Sequence, residues 1–290
     1  METLRRLRRP DGVEIVYGFT PAAERTPGRA LLLLHGLASN KSRFAEFVEQ
    51  TRLSARFDLL RVDLRGHGDS QARGRLSLEL WCDDLAALLA AEGHPQAILV
   101  GHSLGAQVAL AFAARYRQQS RALALIDPVF REALRGKWRR IAQLAPVIGA
   151  AATLVRAANA LGLQRRAVEP YDLRALDEEA RAALASPAAT ADFVRRYSST
   201  CEDLRHFRTA HYLQELVEMF RPAPPLAALD MPVLVLLSSG GTFADPAVMA
   251  RLLAQLPRAQ TVSIDCQHWP LTERPHEVRT AIERWCEALP

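Results

Sequence analysis

The chain has almost no lysine. Of its 37 Lys and Arg residues only Lys41 and Lys137 are lysines, and the arginines run over the whole length. Small basic clusters stand at Arg5–Arg9 and Lys137–Arg140. The net charge is +5, but no recognition motif accompanies it, so nucleic acid is not expected as a partner. Cysteine is also scarce. Cys82, Cys201, Cys266 and Cys286 form no C-x-x-C pair, and no His/Cys group has zinc-ligand spacing. No metal is expected, and buried free thiols in a reducing compartment are the expectation. No apolar run approaches the roughly 20 residues that cross a bilayer. The basic start, Met1 to Arg9, is not followed by an apolar h-region. Integral membrane association and a secretory signal are therefore not expected, and the expected location is cytoplasmic. There is no internal repeat.

What the chain does have is 290 residues, 49% of them hydrophobic. That suffices for one large domain, or for a core with an insertion. Val13–Phe19 alternates like a strand. Short apolar runs follow at Ala30–Leu34, Phe57–Val62, Ile98–Val100, Ala122–Ile126, Val233–Leu237 and Thr261–Ile264. Helical patterns lie between them at Ser42–Ser54, Ser77–Glu92, Ala106–Tyr116, Pro246–Leu256 and Pro275–Leu289. This alternation predicts an α/β fold with a mostly parallel, doubly wound sheet covered on both faces. Right-handed crossovers would place all strand C-terminal ends, and hence the ligand site, at one edge. From Val129 to Asp230 no strand pattern is found. Trp138–Leu163 is apolar and alanine-rich with a break at Pro146, and Tyr171–Ser186 and Thr190–Phe220 also read as helical. The stiff exit Pro222-Ala223-Pro224-Pro225 closes the segment. The expected organisation is a core of residues 1–128 and 231–290 with a helical cap, residues 129–230, inserted between two strands.

The most informative stretch is Gly101-His102-Ser103-Leu104-Gly105, a G-x-S-x-G pattern with an apolar strand before it and a helix after it. That context makes Ser103 a candidate nucleophile on a sharp turn. Its hydroxyl would face a cleft, with the Leu104 amide pointing at whatever it attacks. The structural alternative is a glycine-flanked turn carrying an ordinary serine.

Four signatures in order resemble the α/β-hydrolase superfamily, in particular its capped, esterase- and lipase-like serine hydrolases. They are Leu34-His35-Gly36-Leu37, Asp63 to Ser70, the elbow at Ser103, and Cys266-Gln267-His268-Trp269-Pro270 followed by Glu273-Arg274-Pro275. The resemblance implies an eight-stranded sheet. It also implies an oxyanion hole made by the backbone amides of Leu37 and Leu104, and His268 as general base. His35, Gly36, His102 and Trp269 would adjoin the substrate. Asp63 to Ser70 is expected to be structural, His67 included.

The acid is where the sequence departs from the pattern. Counting back from Arg258 without gaps, the usual acid position falls on Gly241. Asp245 lies four residues later and reads equally as an N-cap before Pro246. Asp127, at the end of the strand after the elbow helix, is the favoured candidate. Asp245 is the second, and a site with no acid the third. The implied activity is hydrolysis of carboxylic esters with short to medium acyl groups, without a cofactor, on a small-molecule substrate with an apolar acyl part. Other readings left open are a thioesterase, a carbon–carbon bond hydrolase, a cofactor-free haloperoxidase or perhydrolase, and a ligand-binding protein with impaired catalysis. The apolar stripe Trp138, Ile141, Leu144, Val147, Ile148, Leu154 and Val155 is expected to pack on the core, with an acyl tunnel or a lipid contact as alternatives. A homodimer is left open.

Overall fold

The computed structural model describes residues 1–163, 171–183, 193–195, 197, 199–240 and 243–289. Eight strands among them form one sheet: β1 (Thr3–Arg8), β2 (Glu14–Thr20), β3 (Ala30–Leu34), β4 (Asp58–Val62), β5 (Ala97–His102), β6 (Ser120–Ile126), β7 (Val233–Ser238) and β8 (Ala259–Ile264). Their order is β1-β2-β4-β3-β5-β6-β7-β8. The first two strands are antiparallel to their neighbours, and all pairs from β4 to β8 are parallel.

The short apolar runs form strands because both faces of the sheet are covered. In β3, Leu32 and Leu34 join one apolar cluster and Leu31 and Leu33 the other. In β5, Leu99 faces one side and Ile98 and Val100 the other. Sheets buried on both faces read as continuous apolar sequence, not as alternation.

The strand that the apolar pattern misses is β1. The cluster Arg5–Arg9 reads as charge, yet Thr3–Arg8 pairs along β2 from Thr3–Phe19 to Arg8–Glu14. The Arg5 guanidinium lies 3.8 Å from the centroid of the Phe19 ring and pairs with Glu92 at 2.6 Å. Arg9 reaches Asp84 at 2.8 Å. An arginine-rich edge strand leaves little for another chain to pair with. The Ser42–Ser54 pattern is also not one helix. A 3-10 turn (Lys41–Phe44), an α-helix (Ala45–Gln50) and a second 3-10 turn (Arg52–Ala55) replace it. Asn40 opens it and Thr51 breaks it, each accepting a backbone N–H through its side chain.

Between β6 and β7 the described residues form helices and no strand: Gly136–Gln143, Ala145–Ala160, Leu173–Ala183, Thr200–His206 and Thr209–Met219. The first two meet at 63° around Leu144, where Pro146 opens the second. Among the described residues no single helix is long and apolar enough to cross a membrane. Leu134, Ala142, Phe207, Tyr212, Leu216, Met219 and Phe220 of this insertion share one apolar cluster with the sheet. The apolar stripe divides. Trp138, Ile141 and Ile148 pack on that cluster, whereas Leu144, Val147 and Leu154 are 54%, 64% and 72% exposed. All four cysteines are free. Cys82, Cys266 and Cys286 are buried as expected, but Cys201 is exposed, on the helix Thr200–His206.

Candidate active site

The glycines of the elbow are required by close backbone approach. A Cβ on Gly101 would lie 2.3 Å from the Gly105 carbonyl oxygen, and one on Gly105 would lie 2.2 Å from that of Leu34. Only residues without a side chain let the helix Leu104–Arg115 start this near β5 and β3. Ser103, between them, sits at φ 51° and ψ −112°, a conformation that costs a non-glycine residue about 1–3 kcal/mol and persists only when its surroundings hold it. They do so here. The Ser103 amide donates to Ile126 O at 2.9 Å, and its carbonyl accepts from Ala106 at 3.0 Å.

The imidazole of His268 comes from the loop after β8. Nε2 lies 3.1 Å from Ser103 Oγ, and Nδ1 lies 3.1 Å from Asp127 Oδ2. A carboxylate only accepts, so the ring proton sits on Nδ1 and the lone pair on Nε2 faces the serine hydroxyl. Three contacts fix this loop. The Glu273 carboxylate accepts the amides of Gln267 at 3.0 Å and Trp269 at 3.3 Å, on either side of the histidine. His102 Nε2 donates to the His268 carbonyl at 3.0 Å. Burial, with repulsion from His268 added, pushes His102 down to about 3, so it stays neutral and acts as a donor.

Asp127 stands at the end of β6 with φ 46°. Its amide donates to Leu236 O at 2.8 Å. Its carboxylate accepts the Ser238 amide at 2.8 Å and the Ser238 hydroxyl. Burial works against its charge, but the bonds from His268 and Ser238 outweigh it and leave the carboxyl below the usual range. Asp245 is placed otherwise. Its Oδ1 caps the helix Pro246–Leu253 through the amides of Ala247 at 2.9 Å and Val248 at 3.2 Å, and Oδ2 pairs with Arg135 at 2.7 Å. Both oxygens are thereby engaged away from His268, and the N-cap reading accounts for the residue. Gly241 lies outside the described residues.

The strand-end turn after β3 runs against the elbow. A Cβ on Gly36 would lie 3.4 Å from Ser103 Cβ and 3.3 Å from His102 Nδ1. Among the described residues no hydrogen bond engages the amides of Leu37 or Leu104, which leaves both free for a ligand oxygen. The next amide, Ala38, donates to Glu215 Oε2 at 3.3 Å, which ties the turn to the helix Thr209–Met219 of the insertion. Glu215 also lies 3.1 Å from His67 Nε2, with both side chains fully buried. His35 does not adjoin the cavity. Its Nε2 accepts the Leu64 amide at 3.1 Å and its Nδ1 donates to the Gly36 carbonyl. Burial, with His67 nearby, holds its pKa well below the ordinary histidine value. Asp63 accepts the Lys41 and Asp69 amides, and Ser70 Oγ accepts that of Val16. The Asp63 to Ser70 stretch is a hydrogen-bonded brace, as expected.

Ser103 and His268 open onto a cavity of about 100 Å³, floored by Gly36, Leu37 and His102 and walled by Trp138, Phe220, Phe243 and Trp269. Trp269 packs edge-on against Phe193, Tyr197 and Phe243. Sequence reasoning assigned no role to Glu273 or Ser238. Glu273 stands inside a quoted signature five residues after the histidine, and that spacing is the one signal that could have found it. Glu273→Ala is expected to lower kcat by about 10²-fold with little change in KM, because the imidazole loses its anchor while the cavity keeps its walls. Steady-state kinetics checks this, and a rise in KM at constant kcat would contradict it.

A parallel sheet with an antiparallel edge, a nucleophile elbow after its fifth strand and a histidine after its last define an α/β-hydrolase. The family model described as "Alpha/beta hydrolase family" matches residues 31–281, and the chain belongs to that family. In solved structures it is similar to a thermophilic esterase from Thermogutta terrifontis, at 24% identity over 99% of both chains and a TM-score of 0.71. It is similar at 23% identity, also over 99% of both and at 0.71, to a hydrolase from Pseudomonas aeruginosa PA01. These likenesses concern the fold. Among curated proteins it is 39% identical over 106 residues to the 2-(acetamidomethylene)succinate hydrolase of Mesorhizobium japonicum, covering 36% of this chain and 37% of that protein. It is 39% identical over 99 residues to the pimeloyl-[acyl-carrier protein] methyl ester esterase of Chromobacterium violaceum, covering 34% and 37%. The chain thus matches little more than a third of the length of these relatives.

Proposed function

We propose that the protein is a serine hydrolase of small carboxylic esters. The observation that carries this reading is the chain of contacts from Ser103 Oγ through His268 to Asp127, 3.1 Å at each step, at the floor of a cavity with mostly aromatic and aliphatic walls. His268 Nε2 takes the proton as Ser103 Oγ attacks the ester carbonyl. The charge that develops on the carbonyl oxygen is met by the amides of Leu37 and Leu104. Asp127 holds the ring in the tautomer that can accept, and stabilises the imidazolium once it forms. His268 then returns the proton to the leaving alcohol, and water repeats the sequence on the acyl-enzyme. Residues 129–230 act as a cap, and Trp138, Phe220 and Tyr212 from it close the cavity over the acyl group.

The volume bounds the acyl group. About 100 Å³ is less than the roughly 150 Å³ of an engineered cavity that holds one benzene. A p-nitrophenyl ester series is therefore expected to peak at acetate to butyrate, with kcat/KM at least about tenfold lower for octanoate. A maximum at octanoate would contradict the assignment to small esters.

A further inference from the structure

One wall of the cavity carries polar atoms that the reaction above does not use. Arg43 lines it, and its side chain is only 6% exposed. Among the described residues a single nitrogen, Nη1, makes all the side chain's hydrogen bonds: to both oxygens of Asp177, at 2.5 and 2.7 Å, and to Thr272 Oγ1 at 2.5 Å. Nε and Nη2 have no partner among the described residues. The Tyr197 ring, 5.8 Å from the guanidinium carbon, flanks the group. Ser39, four residues earlier, lines the same cavity, is 4% exposed, and its Oγ is buried with no hydrogen-bond partner among the described residues. A buried donor left unmade is expensive, as at Ser39 Oγ, so a ligand group that accepts from it gains more than its contacts alone.

We infer that Arg43 and Ser39 form a subsite for a carboxylate carried by the substrate, so that the natural ester is the monoester of a small dicarboxylic acid. The inference rests on the esterase reading and names its substrate class. The Nε–H and Nη2–H bonds lie side by side on one edge of the planar guanidinium, at a spacing that matches the two oxygens of a carboxylate. The Ser39 hydroxyl supplies a third donor. Asp177 occupies only the Nη1 end, where Thr272 and Tyr197 also donate to it, at 2.9 and 3.0 Å, and so share its charge. Among the described residues the acid that lines the cavity is Asp203. Its hydrogen bond with Tyr212 belongs to the helices of the insertion, and burial pushes it up to about 7, toward the neutral form. The subsite shares the turn that presents the Leu37 amide, so the carboxylate and the scissile carbonyl would be held by one segment, residues 37–43.

The test uses matched methyl esters, monomethyl glutarate and methyl pentanoate, which differ by the terminal carboxylate. Binding to the full-length Ser103→Ala chain, which cannot turn them over, is measured by calorimetry, and kcat/KM of the Ser103 enzyme by proton release. Binding and kcat/KM are both expected to favour monomethyl glutarate by at least about tenfold. That preference should fall at least about tenfold in Arg43→Lys, which keeps the charge beside Asp177 but loses the fork, and also fall in Ser39→Ala. Ser39→Ala carries the test if Arg43→Lys does not fold. Equal binding of the two esters, or a preference untouched by the variants, overturns the subsite while Ser103-dependent hydrolysis of methyl pentanoate leaves the esterase reading standing. Preferential binding of monomethyl glutarate without Ser103-dependent turnover of either ester supports the subsite and overturns the esterase.

Discussion

Ser103→Ala is expected to lower kcat for a short p-nitrophenyl ester on the order of 10⁶-fold, the loss that follows removal of a nucleophile from a concerted Ser-His-acid unit. The residue is 6% exposed and the substitution only removes its hydroxyl, so alanine fits the elbow without repacking. The backbone strain at φ 51° is unchanged by the substitution, and no stability change should obscure the kinetics. What remains is the contribution of the two amides and of binding, roughly 10³–10⁴ over water in the serine-protease case. A variant that retained more than a few per cent of turnover would mean that another group attacks the ester, and the contacts at Ser103 would then be structural.

The acid gives the second large effect, and a sharper contrast. Asp127→Asn keeps the shape of the side chain, but its amide NH₂ cannot accept from Nδ1–H. The ring would flip its tautomer and present a proton to Ser103 where it needs a lone pair. In the protease example a comparable exchange costs about 10⁴ in kcat, and a loss of that order is expected here. Asp245→Asn should leave kcat within about twofold, since it retains an N-cap oxygen for Ala247 and Val248 and loses only a half-exposed contact with Arg135. Equal losses in the two variants, or a loss confined to Asp245→Asn, would show that the loop after β7 rearranges to bring Asp245 to His268.

The architecture was legible from sequence because its strongest constraints are local. Apolar runs of strand length, glycines where backbones touch at Gly101 and Gly105, and a helix pattern behind Ser103 each have one structural solution. Ser103 and His268 could be named because the family pattern fixes their chain positions, and the geometry brings their side chains together. The acid resisted. Asp127 and Asp245 are both aspartates before proline, and what separates them is tertiary: Ser238 and Leu236 hold one, Arg135 the other. His35 was misplaced for a similar reason. Its backbone ends β3 at the site, but its ring is drawn the other way by the Leu64 amide. β1 was hidden because an edge strand needs apolar residues on neither face, and Arg5 within it and Arg9 just after it find partners in Glu92 and Asp84 that no local pattern reveals. Arg43 was equally invisible, since Asp177 lies 134 positions away in a region where helical periodicity says nothing about which acid meets which base.

The central claim is that one hydroxyl does the covalent chemistry. The direct measurement is intact and peptide mass spectrometry of the protein after treatment with a fluorophosphonate. One adduct per chain is predicted, on the peptide containing Ser103, absent in Ser103→Ala and formed far more slowly in His268→Ala. An adduct on another residue, or none under conditions in which ester hydrolysis proceeds, would contradict the account.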